Sequence, residues 1–368
     1  MSGNMALGLT RFFSSLNKDT QASPDKVVGI DFGSSSVKVV EIMNKNNVLT
    51  LQTYGELQLG PYADADLGSV TQLVQSKRTE ALVDVLRESK VTARNAVMTL
   101  PLATSFVTVF SVNAKKGEDL NPRIRVESRK YIPVPMNDVT LDWQELPALG
   151  QAPESVREVL VVAVLNTTQA ETQGVMQSVN MSAQPTEIEL FSTLRALTKD
   201  SDESVAMVDL GAQTSKLYIA NQGMVRKIHR VFAGGAQATQ RISTLLQIPY
   251  EEAENRKRNY TQDDASAADI KKTVVTTFER PFQEFKRVLS EYELKTGTPV
   301  TRLVITGGTA SFADMHSYAS YMFDRDVTRA NAFDKLAYPA FMEDKLESIA
   351  PIFSTAVGAA LRQFEVTT

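Results

Sequence analysis

The chain of 368 residues contains no cysteine, two histidines and one tryptophan. Without cysteine there is no disulfide framework, no thiolate metal site and no cysteine nucleophile. With only His229 and His316 available, a zinc site is not expected. Long apolar runs are also missing. The longest candidate, Val159 to Leu165, has the length of a strand, whereas a bilayer-spanning helix needs roughly 18 to 20 apolar residues. The N-terminus lacks a charged start followed by a long apolar stretch and a small-residue cleavage site, so no secretory signal is read and the expected location is the cytoplasm. Leu9, Phe12, Phe13 and Leu16 fall at helical spacing beside Arg11 and Lys18. This stretch is expected to be a flexible tail, residues 1–25, rather than a helix lying on a membrane. A basic excess is absent too: 39 Lys and Arg stand against 43 Asp and Glu, a net charge of −4. That balance gives no electrostatic reason for a nucleic-acid partner, and the run Arg256-Lys257-Arg258 reads as a solvated helix face.

What is present is a globular composition, 43% hydrophobic, and enough length for two cores. There is also an internal repeat. Gly29-Ile30-Asp31-Phe32-Gly33-Ser34-Ser35-Ser36-Val37-Lys38 aligns without gaps on Met207-Val208-Asp209-Leu210-Gly211-Ala212-Gln213-Thr214-Ser215-Lys216, with Asp, Gly and Lys coinciding. Each copy reads as a strand ending in Asp, a tight polar turn and a returning strand, so two β-hairpins with polar tips are expected. Gly33 and Gly211 permit a turn in which successive N–H groups converge on an anion such as phosphate. The hydroxyls of Ser34, Ser35, Ser36 and Thr214 add donors, and Lys38 supplies a point charge. Asp31 and Asp209 suit the water shell of a Mg²⁺ ion. One such hairpin is as well explained by an ordinary turn; two in register are not.

The rest of the chain frames this repeat. A helix is expected over Leu73–Ser89 and a strand over Ala96–Leu100. A compact αβ stretch follows, with strands at Ser105–Val112, Val139–Glu145 and Glu158–Leu165 and helices at Asp119–Arg129 and Thr168–Asn180. Its first helix ends at the proline-rich corner Tyr131-Ile132-Pro133-Val134-Pro135. Phe106, Val107 and Val109 read as core positions rather than an open groove edge. An apolar helix, Glu187–Leu197, leads to the second repeat. Beyond it come a Gly234-Gly235 helix start, a long helix over Ile270–Leu294 that Pro281 should kink or divide, and the loop Thr306-Gly307-Gly308-Thr309, where a planar ring can approach the backbone. The closing helix is expected at Ser354–Phe364.

Two Asp-Gly hairpins, a late Gly-Gly loop and a small-residue C-terminal helix resemble the actin, Hsp70 and sugar-kinase superfamily. Tyr131-Ile132-Pro133 followed by Asp142-Trp143, Ala253-Glu254 with Lys257, and Ala356-Val357-Gly358-Ala359-Ala360-Leu361-Arg362 narrow the match. The ordered set is similar to the PilM family of type IV pilus assembly proteins, relatives of the division protein FtsA. The resemblance implies an α/β, actin-like ATPase fold of duplicated, ribonuclease H-like lobes. The first lobe would comprise 26–103, 184–204 and 349–368, the inserted subdomain 104–183 and the second lobe 205–348. It also implies ATP with Mg in the cleft. Asp31, Gly33, Ser34, Ser35, Ser36 and Lys38 would form one phosphate loop, and Asp209, Gly211, Gln213 and Thr214 the other. Glu254 and Lys257 would flank the adenosine, with Gly307, Gly308 and Thr309 under it. Glu187 or Glu189 would lie near the attacking water.

By the same resemblance the partner is the cytoplasmic N-terminal peptide of PilN, held between the inserted subdomain and the first lobe. Other pilus platform proteins, the assembly ATPases and a second copy of the chain remain further partners in this reading. The expected function is an ATP-binding scaffold, at most a slow ATPase, peripheral to the inner membrane through its partners. Two alternatives stand beside it. A phosphotransferase on the same fold needs a positioned base for a substrate hydroxyl, and no extra carboxylate cluster in the insertion reads as one. An FtsA-like filament tether wants a basic amphipathic C-terminal helix, which Phe364-Glu365-Val366-Thr367-Thr368 does not provide.

Overall fold

The computed structural model describes residues 25–115, 117–149, 155–183, 186–198 and 203–364. The expected tail, Asp25 apart, and the last four residues lie outside them. The chain opens with β1 (Lys26–Phe32), β2 (Ser36–Lys45), β3 (Val48–Gln58), α1 (Gln75–Glu88) and β4 (Asn95–Leu100). Next come β5 (Ser105–Asn113), α2 (Asn121–Ser128), β6 (Val139–Leu146), β7 (Val156–Leu165) and α3 (Asn166–Ser178). The short strands β8 (Ser182–Ala183) and β9 (Glu187–Ile188) and the helix α4 (Glu189–Leu197) lead onward. The second repeat opens β10 (Ser204–Leu210), β11 (Ser215–Asn221), β12 (Met224–Val231), α5 (Gly235–Leu246), α6 (Tyr250–Arg258) and α7 (Ala267–Thr296). β13 (Arg302–Thr306), α8 (Met315–Phe323), β14 (Val327–Arg329) and α9 (Glu343–Leu361) complete the chain.

The repeat extends well past the hairpins. One sheet runs β3-β2-β1-β4-β8, with β9 also on β4, and another runs β12-β11-β10-β13-β14. In each, three antiparallel strands are followed by a parallel one: β1 pairs with β4 and β10 with β13. The hairpin registers coincide, Asp31 opposite Lys38 and Asp209 opposite Lys216. Near-continuous burial of β1, β10 and β11 reflects sheets covered on both faces.

The insertion forms its own antiparallel sheet, β5-β7-β6, whose central strand buries Val159 to Val164. Phe106 packs toward Ile132 and Val139, while Val107 and Val109 pack on the main core. The insertion touches both lobes. Arg78 on α1 approaches Glu171 on α3 at 3.7 Å. On the other side the buried Arg226 of β12 donates to Pro147 O at 2.8 Å and approaches Glu158 at 3.3 Å.

Three expectations differ from the structure. Pro281 does not divide α7, because Phe278, Phe282 and Phe285 keep one buried face continuous through it. The last helix begins at Glu343, with Pro351 in its interior, because Leu346, Ala350 and Phe353 are buried on both sides of the proline. Residues 332–342, assigned from sequence to the second lobe, hydrogen-bond to the first: Ala337 N–H donates to Leu49 O at 2.7 Å and Leu51 N–H to Ala337 O at 3.0 Å.

The core of the molecule is centred on α9, whose small residues allow backbone contact. A Cβ on Gly358 would lie 1.7 Å from Ser192 O on α4, and one on Gly29 would lie 1.9 Å from Ala356 O. Gly358→Ala therefore forces a backbone displacement and should cost about 3 kcal/mol, read as a lowered thermal midpoint; an unchanged midpoint would show that this contact does not hold the helix.

Candidate functional site

The two hairpin tips face one cavity of about 880 Å³ between the lobes. Gly33 N–H closes the first turn on Ser36 O at 3.0 Å, and Gly211 N–H closes the second on Thr214 O at 3.1 Å. Each tip is then anchored from outside. Thr71 N–H and Leu59 N–H hold Ser34 O and Ser35 O at 2.8 and 2.9 Å, and the first N–H groups of α5, from Gly235 and Ala236, hold Gly211 O and Ala212 O at 2.9 Å. The expected loop residues Asp31, Gly33, Ser34, Ser35, Ser36, Lys38, Asp209, Gly211, Gln213 and Thr214 all border this cavity. Glu254, Lys257, Gly307, Gly308 and Thr309 border it as well.

Gly307 adopts φ +88°, and a Cβ there would stand 2.5 Å from Asp209 Oδ1, so a side chain is excluded on two counts. A Cβ on Gly308 would meet nothing within 4 Å, leaving an open backbone face beside Thr309. Opposite, Glu254 is buried in a closed network. Thr239 Oγ1 and Lys257 Nζ each donate to its Oε2 at 2.5 Å, and Arg258 Nε donates to its Oε1 at 2.7 Å. Burial works against the anion, yet Lys257 and the other donors hold this carboxyl below its ordinary range. The same corner joins the lobes: Tyr250 donates its hydroxyl to Gly68 O at 3.3 Å, and Arg258 lies 3.8 Å from Glu56.

The two candidate carboxylates of the connecting segment separate. Glu189 borders the cavity, and its Oε1 accepts from Leu102 N–H and Lys216 Nζ, both at 2.9 Å. Glu187 does not reach the cleft, which corrects its candidacy. Standing two residues away on β9, it is 2% exposed and bound to Arg195, with Ser192 Oγ donating at 2.5 Å and Arg362 at 3.7 Å. Burial opposes its charge, but the two guanidinium groups outweigh it and hold this carboxyl below the usual carboxylate range.

Lys216 is the cleft residue that hairpin chemistry did not single out, although its alignment with Lys38 was the available signal. Burial pushes its ammonium down, and Asp209 and Glu189 more than reverse this, holding it well above the ordinary lysine range. Asp31 behaves oppositely: its carboxyl is pushed up, chiefly by burial, with Lys38 at 3.8 Å as partial compensation. Among the described residues no three His, Cys, Asp or Glu are grouped to hold a metal ion directly. The cavity also continues between the first lobe and the insertion, past Arg78, Thr168 and Glu171. There the Arg78 guanidinium stacks over Phe32 at 4.8 Å, next in sequence to Asp31.

Comparison with known proteins fits this geometry. The profile of the family described as type IV pilus assembly protein PilM matches residues 29–364. The solved PilM-PilN type IV pilus biogenesis complex is similar with a TM-score of 0.77 at 19% identity, over 93% of this chain and 99% of that one. Ethanolamine utilization protein EutJ from Carboxydothermus hydrogenoformans follows with a TM-score of 0.55 at 15% identity, over 92% of this chain and 90% of its own. MreB5 of Spiroplasma citri bound to ADP has a TM-score of 0.50 at 11% identity, covering 92% and 95%. The shared fold is the actin-like ATPase fold.

The Glu187 network generates a stability prediction. Glu187→Gln removes the carboxylate that neutralises the buried Arg195 and should cost about 3–5 kcal/mol at neutral pH, measured by denaturant unfolding. Because the folded carboxyl titrates below its ordinary value, its contribution is present above that value, about 4.3, and is lost as pH falls through the lowered one. The gap between variant and wild type should therefore narrow on acidification; a gap that widens would contradict the assignment.

Proposed function

Starting from the membership of this chain in the type IV pilus assembly protein PilM family, we propose that it is an ATP-binding scaffold of the inner-membrane assembly platform. In this reading it holds the cytoplasmic N-terminal peptide of a PilN-type partner and links that contact to nucleotide state. The observation that supports it best is a single cavity that both hairpin tips border and that continues into the space between the first lobe and the insertion. A ligand in one arm is then felt in the other through Phe32, between Asp31 and Gly33 of the first tip and under Arg78. Any ligand that binds open and closed lobes unequally shifts their equilibrium, so binding alone suffices for control.

The residues fit Mg·ATP. The tips with Ser34, Ser35, Ser36, Gln213 and Thr214 would hold phosphates, and Lys38 would turn to a phosphate oxygen. The bare face at Gly308 would take the base, with Thr309 beside it and Lys257 and Glu254 across from it. Asp31 and Asp209 would hold the ion through water, a donor set that suits Mg²⁺. When bound, the ion would neutralise phosphate charge. Glu189 would face the attacking water if turnover occurs. Among the described residues no helix is long and apolar enough to cross a membrane, and attachment to the inner membrane through the partner peptide accounts for the location.

Calorimetric titration with a peptide copied from the cytoplasmic start of the host's PilN, with and without Mg·ATP, tests this. Micromolar binding, about −8 kcal/mol, that changes with nucleotide is the expected result; no binding in either state would refute the scaffold reading. Gly308→Val places a side chain in open space and should leave the thermal midpoint unchanged while weakening ATP binding about tenfold or more, a loss of about 1.4 kcal/mol. Undiminished ATP affinity would remove this loop from the site.

A further inference from the structure

The two halves of the repeat differ in how their lysines are engaged. Lys38 has one carboxylate, Asp31, at 3.8 Å. Its counterpart Lys216 has two: Nζ donates to Asp209 Oδ2 at 3.0 Å and to Glu189 Oε1 at 2.9 Å. The difference arises because the connecting segment delivers a carboxylate opposite the second hairpin. The Lys216 side chain is 11% exposed, so its ammonium is screened little by solvent. Glu189 Oε1 also accepts Leu102 N–H at 2.9 Å, and two donors fill both acceptor positions of one carboxylate oxygen.

The same condition holds around the whole cavity. Among the described residues six carboxylates border it: Asp31, Glu56, Glu171, Glu189, Asp209 and Glu254. Each has a lysine or arginine nitrogen within 4 Å. A nucleotide entering the cleft therefore meets no uncompensated anion, which favours holding phosphates. Hydrolysis asks for something else, a carboxylate free to accept a proton from the attacking water. Glu189 is the cavity carboxylate that stands between the two lobes' hairpins on the connecting helix, and Lys216 already holds one of its two oxygens.

We propose that Lys216 is a tethered counter-ion that clamps Glu189 to Asp209 and keeps the cleft a nucleotide-holding site instead of a hydrolytic one. The inference rests on the nucleotide reading above and adds a residue that sets its turnover. In the reaction it restrains, a water oxygen bonds to the γ-phosphorus as the bond from that phosphorus to the bridging oxygen of ADP breaks. Glu189 takes the water's proton and returns it to solvent, leaving ADP and inorganic phosphate. Lys216 is thus a positioning residue acting through Glu189, and its removal is expected to add activity, which loss of a merely structural contact does not do.

The test compares full-length wild type with Lys216→Met by ATP calorimetry and by single-turnover hydrolysis of Mg·ATP. Lys216→Met leaves Asp209 and Glu189 without their shared cation, so it should bind ATP more weakly, and at saturating Mg·ATP it should hydrolyse the nucleotide about tenfold faster or more, a modest share of what a positioned base supplies. Lys216→Arg, which restores the cation, should return the slow rate, and adding Glu189→Gln to Lys216→Met should remove the gain. Should the methionine variant fail to fold by circular dichroism, Lys216→Gln, which keeps a donor without charge, makes the same comparison. A variant that binds ATP and turns it over no faster than wild type overturns the proposal. So does one that no longer binds ATP at millimolar concentration, which would make Lys216 a phosphate ligand. Wild-type protein that fails to bind ATP at all sinks the nucleotide reading instead, and the two failures are told apart by that first titration.

Discussion

The geometry of the cleft depends on how closely one helix can approach a strand and another helix. α9 lies against β1 at Gly29 and against α4 at Gly358, with spacings that no side chain could share. That close packing fixes the connecting segment, and with it Glu187 on the inside and Glu189 on the outside. The buried Glu187, Arg195 and Arg362 cluster locks the same junction electrostatically. Breaking such a cluster by removing one partner is costly, because an uncompensated charge remains in the core. The site is therefore built from the centre outward: backbone contact sets the helices, the helices set the connecting segment, and that segment delivers one carboxylate to the cleft.

A duplicated hairpin would by itself give a symmetric site. The symmetry is broken by what surrounds each copy. The first tip is pinned by loop N–H groups from Leu59 and Thr71, the second by the start of α5. Lys38 keeps a loose partner while Lys216 is held by two carboxylates. One half of the cleft thus retains a cation able to follow a phosphate, and the other carries a cation already committed. In the proposed reading, phosphate binding needs only the first of these.

Much of this was legible in the chain. The gap-free alignment of the two Asp-x-Gly segments predicted both hairpins, and the structure carries the repeat on into two sheets of matching strand order. Of the Gly307-Gly308 pair, only Gly308 presents an open backbone face, since a side chain at Gly307 would meet Asp209. Proline misled at Pro281, and the closing helix was read too short, because local propensity says nothing about an apolar face that stays buried on both sides of a proline. The attachment of residues 332–342 to β3 was also invisible, since pairing of Ala337 with Leu49 and Leu51 joins segments far apart in sequence.

The sequence by itself determined the two matching Asp-x-Gly turns, the lack of any cysteine thiol, and the family to which the chain belongs. These are properties of residue type and short-range order, which local sterics and hydrogen bonding dictate. Only the tertiary structure decided which of Glu187 and Glu189 faces the cleft, that Lys216 bridges Glu189 to Asp209, and that each carboxylate around the cavity, among the described residues, has a cation beside it. Those outcomes depend on distances between groups on different elements, where an ångström separates a free base from a neutralised one, and no pattern along the chain encodes that distance.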